Sequence, residues 1–241
     1  ENKTYNDVDM AILKQMNVQA TQTHYIYQCG DVELYLDFVS PSLLLEQCLM
    51  GCPVGFISYQ IHSGKSEIHD VEILFDIDTE WMFGKNRVES LSEQDWCIVK
   101  SDSLYMGIAA EETAYSYNEG HVLLSHKLGK NKKDQGVLLF GFNEGKGLQY
   151  EGEILHPYWN KDGKRELKDA LLFIGDNYKK LMRECDRLDG QLNRRAFQTR
   201  IPSFARQMIL DYRKFISEHR FVMSQSGDLF CFGDTLANVR E

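Results

Sequence analysis

The fold is decided by residues 23–38, which read THYIYQCGDVELYLDF. From Val32 to Phe38 an apolar residue stands at every second position, the pattern of a half-buried antiparallel strand. Residues 23–28 are aromatic and β-branched, and Gly30-Asp31 between the two runs is typical of a turn. The stretch therefore predicts a β-hairpin.

The same period of two recurs from about residue 18 to residue 155. Two further clear strands are predicted at 56–61 and 71–77, with a turn at 63–66 between them. Weaker strands are predicted at 96–99, 104–109, 114–117, 122–126 and 137–142. Many short strands separated by turns favour an antiparallel β-sandwich over alternating β-α units.

The period changes after Gly163. From Leu167 to Leu192 apolar residues are spaced four, three, four, three, which predicts one long helix with Gly175 inside it. Such a stripe is typical of a coiled coil or of a helix laid against a neighbouring layer. A second helix is predicted after Pro202, with Ser203 as its cap, and it should fade near residues 219–221.

The second helix has an apolar face, and a small hairpin is predicted after it at 221–232. Two helices and one hairpin bury one face and need partners for the rest. We therefore expect them to pack on the sandwich or to be the start of a larger helical domain. The predicted division is a sandwich domain at 1–160 and an incomplete helical domain at 161–241.

Composition excludes several functional classes. The net charge of −9 and the pI near 5.3 argue against nucleic acid as a partner. No apolar run approaches the roughly 20 residues that span a bilayer. The six cysteines favour small buried residues in a reducing, cytoplasmic compartment. The alternative is a secreted or periplasmic protein with a Cys48–Cys52 disulfide.

No motif for a metal, a cofactor or an activated nucleophile is present, so we expect neither metal nor cofactor. Alternate acidic residues at 72, 76, 78 and 80 favour a solvated strand face over a calcium or acid–base site. His121 and His126 differ by an odd number, so an extended strand directs them to opposite faces.

The most unusual local string is HPYWN at 156–160. Its aromatic pair fits either a wedge that fixes a junction between domains or a platform on which a sugar stacks. If any residues of this chain contact a substrate, the candidates are Tyr158 and Trp159 of this string, together with Arg213 and His219 further along the chain. Tyr212 is predicted to pack in the helix interface instead.

Several strings resemble the glutaminase A-like family: VQATQTHY at 18–25, GDVELYLDFVSP at 30–41, HDVEILFD at 69–76, LQYEG to PYWN at 148–160, and LDYRK to GDLF at 210–230. The resemblance implies a supersandwich-like β-sandwich followed by a truncated (α/α)6 toroid. It also implies that the whole protein hydrolyses L-glutamine to L-glutamate and ammonia. The catalytic residues are not assigned to positions here.

Three functions follow from these patterns. The first is a non-catalytic supporting domain of a glutaminase-like hydrolase, whose partners are the rest of its helical domain and a small-molecule or sugar substrate. The second is a carbohydrate-binding or carbohydrate-processing module, which requires exposed aromatic rings on one face. The third is an oligomerising domain that uses the apolar stripe of 167–192 as an interface.

Overall fold

The computed structural model describes residues 9–43, 49, 51–63, 70–84, 88–93, 96–101, 104–109, 114–118, 120–130, 133–144 and 147–233. The strands in chain order are β1 Ile12–Val18, β2 Gln22–Cys29, β3 Val32–Val39, β4 Val54–Ser63, β5 Asp70–Asp78, β6 Glu89–Glu93, β7 Trp96–Ser101, β8 Leu104–Ala109, β9 Ala114–Asn118, β10 His121–Lys130, β11 Lys133–Asn143, β12 Leu148–Tyr150, β13 Glu153–Pro157, β14 His219–Met223 and β15 Leu229–Gly233. The helices are α1 Glu80–Phe83, α2 Leu167–Gln198 and α3 Pro202–Glu218, and a 3-10 turn spans Tyr158–Asn160.

An eight-stranded antiparallel sheet forms the centre of the molecule, in the order β1-β2-β3-β4-β11-β8-β7-β6. The predicted hairpin is confirmed: β2 pairs with β3 from Gln22↔Val39 to Cys29↔Val32. Gly30, in the turn, has a φ of 59°, which costs glycine little because it has no Cβ.

A three-stranded sheet, β5-β10-β9, covers one face of the large sheet. The core between the two sheets contains Tyr59, Met106 and Ile108 from the large sheet and Val122 and Leu124 from the small one, each at most 2% exposed. The sequence alternates because each of these strands points every second side chain into this layer.

Helix α2 covers the other face of the large sheet and buries Leu167, Leu171 and Ile174 there. A Cβ added to Gly107 of β8 would lie 2.7 Å from Leu171 Cδ1, so the missing side chain is what allows this close approach. The predicted stripe is thus confirmed as the face of a helix laid against a neighbouring layer. Cys185 on the same face is completely buried, which raises the pKa of its thiol to about 12.

A third sheet, β12-β13-β14-β15, joins the strands before the helices to those after them. Its central pairing is His156↔Met223 and Pro157↔Val222. The predicted end of the second helix and the hairpin beyond it are confirmed by α3, β14 and β15.

The predicted cap of α3 is wrong. Ile201, with extended backbone angles, is the N-cap residue, and Pro202 takes the first helical position. Proline suits that position because its fixed φ is helical and its missing N–H would have no helical partner. Ser203 therefore lies inside the first turn and makes no cap.

The chain is mainly β, with antiparallel sheets and a few helices, as the sequence predicts. All the strands predicted between residues 23 and 142 are present, whereas β1, β6, β12 and β13 are additional. Across the described ranges, no helix has the length and apolar character needed to cross a membrane. Cys48 lies outside the described residues, and with it the predicted Cys48–Cys52 disulfide.

Candidate functional site

A cavity of about 860 Å³ lies where one end of the large sheet meets α3 and β14. The sandwich side of its wall comes from the ends of β3, β4 and β11, and the helical side from the last turns of α3 and the start of β14. Its volume falls within the range of small-ligand sites. We call this cavity the junction cleft.

Three phenylalanines line the sandwich side of the junction cleft, namely Phe38, Phe140 and Phe142. Phe38 is 39% exposed, and the rings of Phe140 and Phe142 are 6.1 Å apart. Gly55 lies opposite Phe140, and a Cβ there would come within 3.2 Å of the Phe140 ring. The glycine therefore leaves room for the ring to lie over β4.

The helical side of the junction cleft is polar. Arg213 donates from Nη1 to the carbonyl oxygens of Gln19 and Gln22, at 2.9 and 3.3 Å, and to Thr23 Oγ1 at 2.8 Å. Gln19 lies in the turn before β2, and Gln22 and Thr23 are the first two residues of β2, so one side chain fixes α3 on the sandwich. Tyr212 strengthens this docking because its hydroxyl donates to the Ser42 carbonyl at 2.5 Å.

The hydroxyl of Tyr212 thus reaches a carbonyl of the sandwich. The predicted packing of its ring in the helix interface stays a prediction.

His219 lies at the start of β14, where α3 ends. Its Nδ1 is 2.7 Å from the Phe215 carbonyl oxygen, and a carbonyl can only accept, so Nδ1 carries the proton. The Phe215 ring stacks on the imidazole at 4.1 Å. This arrangement leaves Nε2 as an acceptor in the neutral ring.

An ion pair joins the two sides of the cleft. Arg220 forms two hydrogen bonds with Glu144, at 3.0 and 3.1 Å, and both residues line the cavity. Both side chains are about half exposed, so the pair fixes geometry more than it adds stability.

The wall near β2 rests on a buried carboxylate. Asp189 of α2, 1% exposed, accepts from Thr21 N at 3.0 Å, Thr21 Oγ1 at 2.8 Å and Gln22 Nε2 at 3.3 Å. Thr21 also lines the junction cleft. The docking of α2 thus positions one part of the wall.

The structure brings three of the four predicted contact residues together. Trp159, Arg213 and His219 all line the junction cleft, whereas Tyr158 is absent from its lining. Trp159 is 4% exposed and packs in the core beneath α2, and its role as a wedge between domains stays a prediction. Contact with a ligand stays a prediction for all four.

Five residues of the cleft were not predicted from the sequence: Phe38, Phe140, Phe142, Glu144 and Arg220. Glu144 looks like a turn residue, and Arg220 looks like one charge among many, so neither stands out alone. Phe140 and Phe142 share parity on β11, which was the available signal for a common surface.

The acidic strand face and the two histidines follow the predicted geometry. His121 Nδ1 lies 2.6 Å from Asp76 Oδ1 on the outer face of the small sheet, whereas His126 Nδ1 meets the Tyr59 hydroxyl at 2.5 Å on the inner face. In the described part of the chain, no group of three or more His, Cys, Asp or Glu side chains is placed to hold a metal ion.

Comparison with known proteins gives two findings. A family described as "Domain of unknown function (DUF5127)" matches residues 21–119. A solved structure described as "Putative kojibiose phosphorylase from human microbiome" is similar at 11% sequence identity and a TM-score of 0.38, over 84% of this chain and 24% of that one. The chain thus spans about a quarter of that protein. No curated protein matches.

These findings correct the predicted family. The family that matches residues 21–119 is described as a domain of unknown function and not as a glutaminase, so the assignment to the glutaminase A-like family is wrong, and so is the L-glutamine hydrolysis inferred from it. The resemblance rested on the order and spacing of several strings, of which GDVELYLDF and HDVEILFD alternate apolar and polar residues, a pattern common to half-buried strands of many folds.

Proposed function

We propose that the chain is the β-sandwich module of a carbohydrate-processing protein and that its junction cleft binds a sugar. The observation that carries this proposal is the pairing of aromatic rings on one side of the cleft with hydrogen-bonding side chains on the other. A sugar ring presents apolar C–H faces and a rim of hydroxyl groups. The C–H faces can pack on Phe38. The hydroxyl groups can donate to His219 and accept from Arg213.

The cleft is suited to binding rather than to cleavage. Glycoside hydrolysis generally uses two carboxylic acids on either side of the scissile bond. Glu144 is the one carboxylate among the described lining residues, and Arg220 holds it in an ion pair. Acid–base chemistry on the bound sugar would therefore need a further carboxylate beyond the described lining residues.

The domain division at residue 160 belongs to this proposal. Within α3 no residue is buried, and Phe204 and Leu210 are 49% and 42% exposed. Phe197, near the end of α2, is 74% exposed. These apolar side chains support a larger helical domain as the partner of residues 161–241, with an (α/α)6 arrangement as its proposed form.

Isothermal titration calorimetry with a panel of neutral and acidic trisaccharides tests the proposal. We expect at least one member to bind with a dissociation constant of about 1 mM or lower. Phe38→Ala should weaken that binding about five-fold, because stacking on a ring contributes about 1 kcal/mol.

Leu74→Ala is the matched control, since Leu74 is 62% exposed and is not part of the cleft lining. Heat denaturation of both variants would show that each is folded. Binding by no trisaccharide, or equal binding by the two variants, would refute the proposal.

A further inference from the structure

We propose that the sugar bound in the junction cleft is anionic, with its carboxylate held by Arg213 and Lys214. This inference rests on the proposed function and names the ligand class. Its starting point is a contrast in charge. The chain carries a net charge of −9, yet the described lining residues of the cleft include three cationic side chains, Arg213, Lys214 and Arg220, and one carboxylate, Glu144.

The ion pair at the rim accounts for one of the three cations. Arg220 and Glu144 neutralise each other through two parallel hydrogen bonds. The positive charge that remains therefore lies on α3, at two successive residues.

Arg213 is held in place without being neutralised. The three acceptors of its Nη1 are two carbonyl oxygens and a hydroxyl, all uncharged. It forms no ion pair with any carboxylate in the described ranges, and Nε and Nη2 have no acceptor among those residues. A half-buried guanidinium with a fixed orientation and free N–H groups is suited to bind a carboxylate through two hydrogen bonds.

Lys214 can add a second positive charge. Its Nζ lies 3.8 Å from Glu218 Oε1, and the two side chains are 68% and 51% exposed. An exposed pair at this distance holds the lysine weakly. The side chain can therefore turn toward a ligand at modest cost.

A neutral sugar would leave this charge unused. Its hydroxyls can accept from a guanidinium, but a carboxylate forms a shorter and stronger bond with the same donors. A uronic acid combines that carboxylate with the ring face that the phenylalanines accept and the hydroxyls that His219 Nε2 can bind. The ligand class that fits all three features is an oligosaccharide that contains uronic acid.

The test compares trigalacturonic acid with its methyl ester by calorimetry on the whole chain. The ester keeps the size and ring shape of the acid but lacks the charge. We expect the acid to bind about ten-fold more tightly than the ester at low salt, and the difference to shrink when NaCl is raised, because salt screens exposed charges.

Lys214→Gln should weaken binding of the acid about three-fold and leave the ester unchanged. Arg213→Lys keeps the charge but loses the planar pair of donors, so it should weaken binding of the acid about ten-fold. Lys180→Gln makes the same charge change on an exposed position of α2 outside the cleft lining, and we expect no effect.

The outcomes separate the two proposals. If acid and ester bind equally, the anionic preference is refuted and the sugar cleft stands. If the Lys214 and Lys180 variants lose affinity equally, the charge acts at long range and the assignment to α3 is refuted. If no saccharide in either panel binds, both proposals fail. Binding of a sulfated trisaccharide in place of the uronate, with the same Lys214 dependence, would refute the uronic acid and leave a site for a sulfate ester.

Discussion

Replacement of Asp189 by alanine tests how the helices hold the wall of the junction cleft. The carboxylate accepts three hydrogen bonds from β2 and its preceding turn, two of them from Thr21. Alanine leaves the Thr21 N–H and hydroxyl buried without their acceptor, while the Gln22 amide keeps its bond to Asp186 at 2.9 Å. Thr21 is 2% exposed, so water cannot readily replace the lost partner.

The size of the effect follows from these contacts. A buried donor left unpaired costs about 1–3 kcal/mol, and two are created here. Removal of a buried charge recovers part of that cost. We therefore expect Asp189→Ala to lower the free energy of unfolding by about 2–4 kcal/mol, a large part of the stability of an ordinary domain.

Asp189→Asn should cost less, about 1–2 kcal/mol, because one acceptor oxygen remains. If the new amide nitrogen takes the place of Oδ2, it faces Thr21 Oγ1, and a hydroxyl oxygen can accept from it. The predicted order of stability is thus wild type, then asparagine, then alanine.

Urea unfolding followed by tryptophan fluorescence is a suitable assay, since Trp159 is in the core beneath α2 and Trp96 packs against that core. Asp176→Ala, at an exposed position of the same helix, is the control. The reasoning is refuted if the Asp189 and Asp176 variants unfold within about 0.5 kcal/mol of each other.

Two further predictions concern the same layers. A hydrogen bond to Asp37 raises the pKa of His24 above 6.5, so the protonated ring stabilises the fold fully below about pH 6.5 and loses this effect as pH rises through the raised pKa. The urea midpoint of the wild type should therefore exceed that of His24→Gln by more at pH 5.5 than at pH 8.5. An equal difference at the two pH values would contradict this role of His24. Gly107→Ala should lower the free energy of unfolding by about 1–2 kcal/mol, because the new Cβ meets buried leucines of α2. At Gly190 a Cβ would meet nothing within 4 Å, so Gly190→Ala should be neutral or stabilising by up to about 1 kcal/mol. Thermal unfolding of the two variants checks the sign of each change in stability.

Local patterns predicted the elements of this fold but not how the strands pair. The period of two marks β2 and β3, and the 3.6-residue period marks α2, because each depends on neighbours in the sequence. The pairing of β4 with β11 joins Phe56 to Leu139, and alternation cannot identify such a distant partner. Strand β1 was missed because six of its seven residues are exposed, so no buried face imposes a pattern.

The candidate site was predicted one residue at a time. Trp159, Arg213 and His219 stood out by residue type, and the fold brings them into one cavity. Arg220 and Glu144 did not stand out because their role comes from contact with each other across 76 residues. Ser203 was wrongly predicted as the cap because serine commonly caps helices. The backbone geometry of Ile201 and Pro202 decides where this helix begins.

The bonds that Arg213 and Tyr212 form beside the junction cleft join distant parts of the chain. Arg213 reaches Gln19 across 194 residues, and Tyr212 reaches Ser42 across 170. The cleft therefore exists only when α3 is docked on the sandwich, and neither half alone supplies both sides. A ligand that contacts both sides binds the docked state alone, so its binding free energy adds to the stability of that docking. Under the proposed function, a bound sugar and the docked helices would therefore hold each other in place.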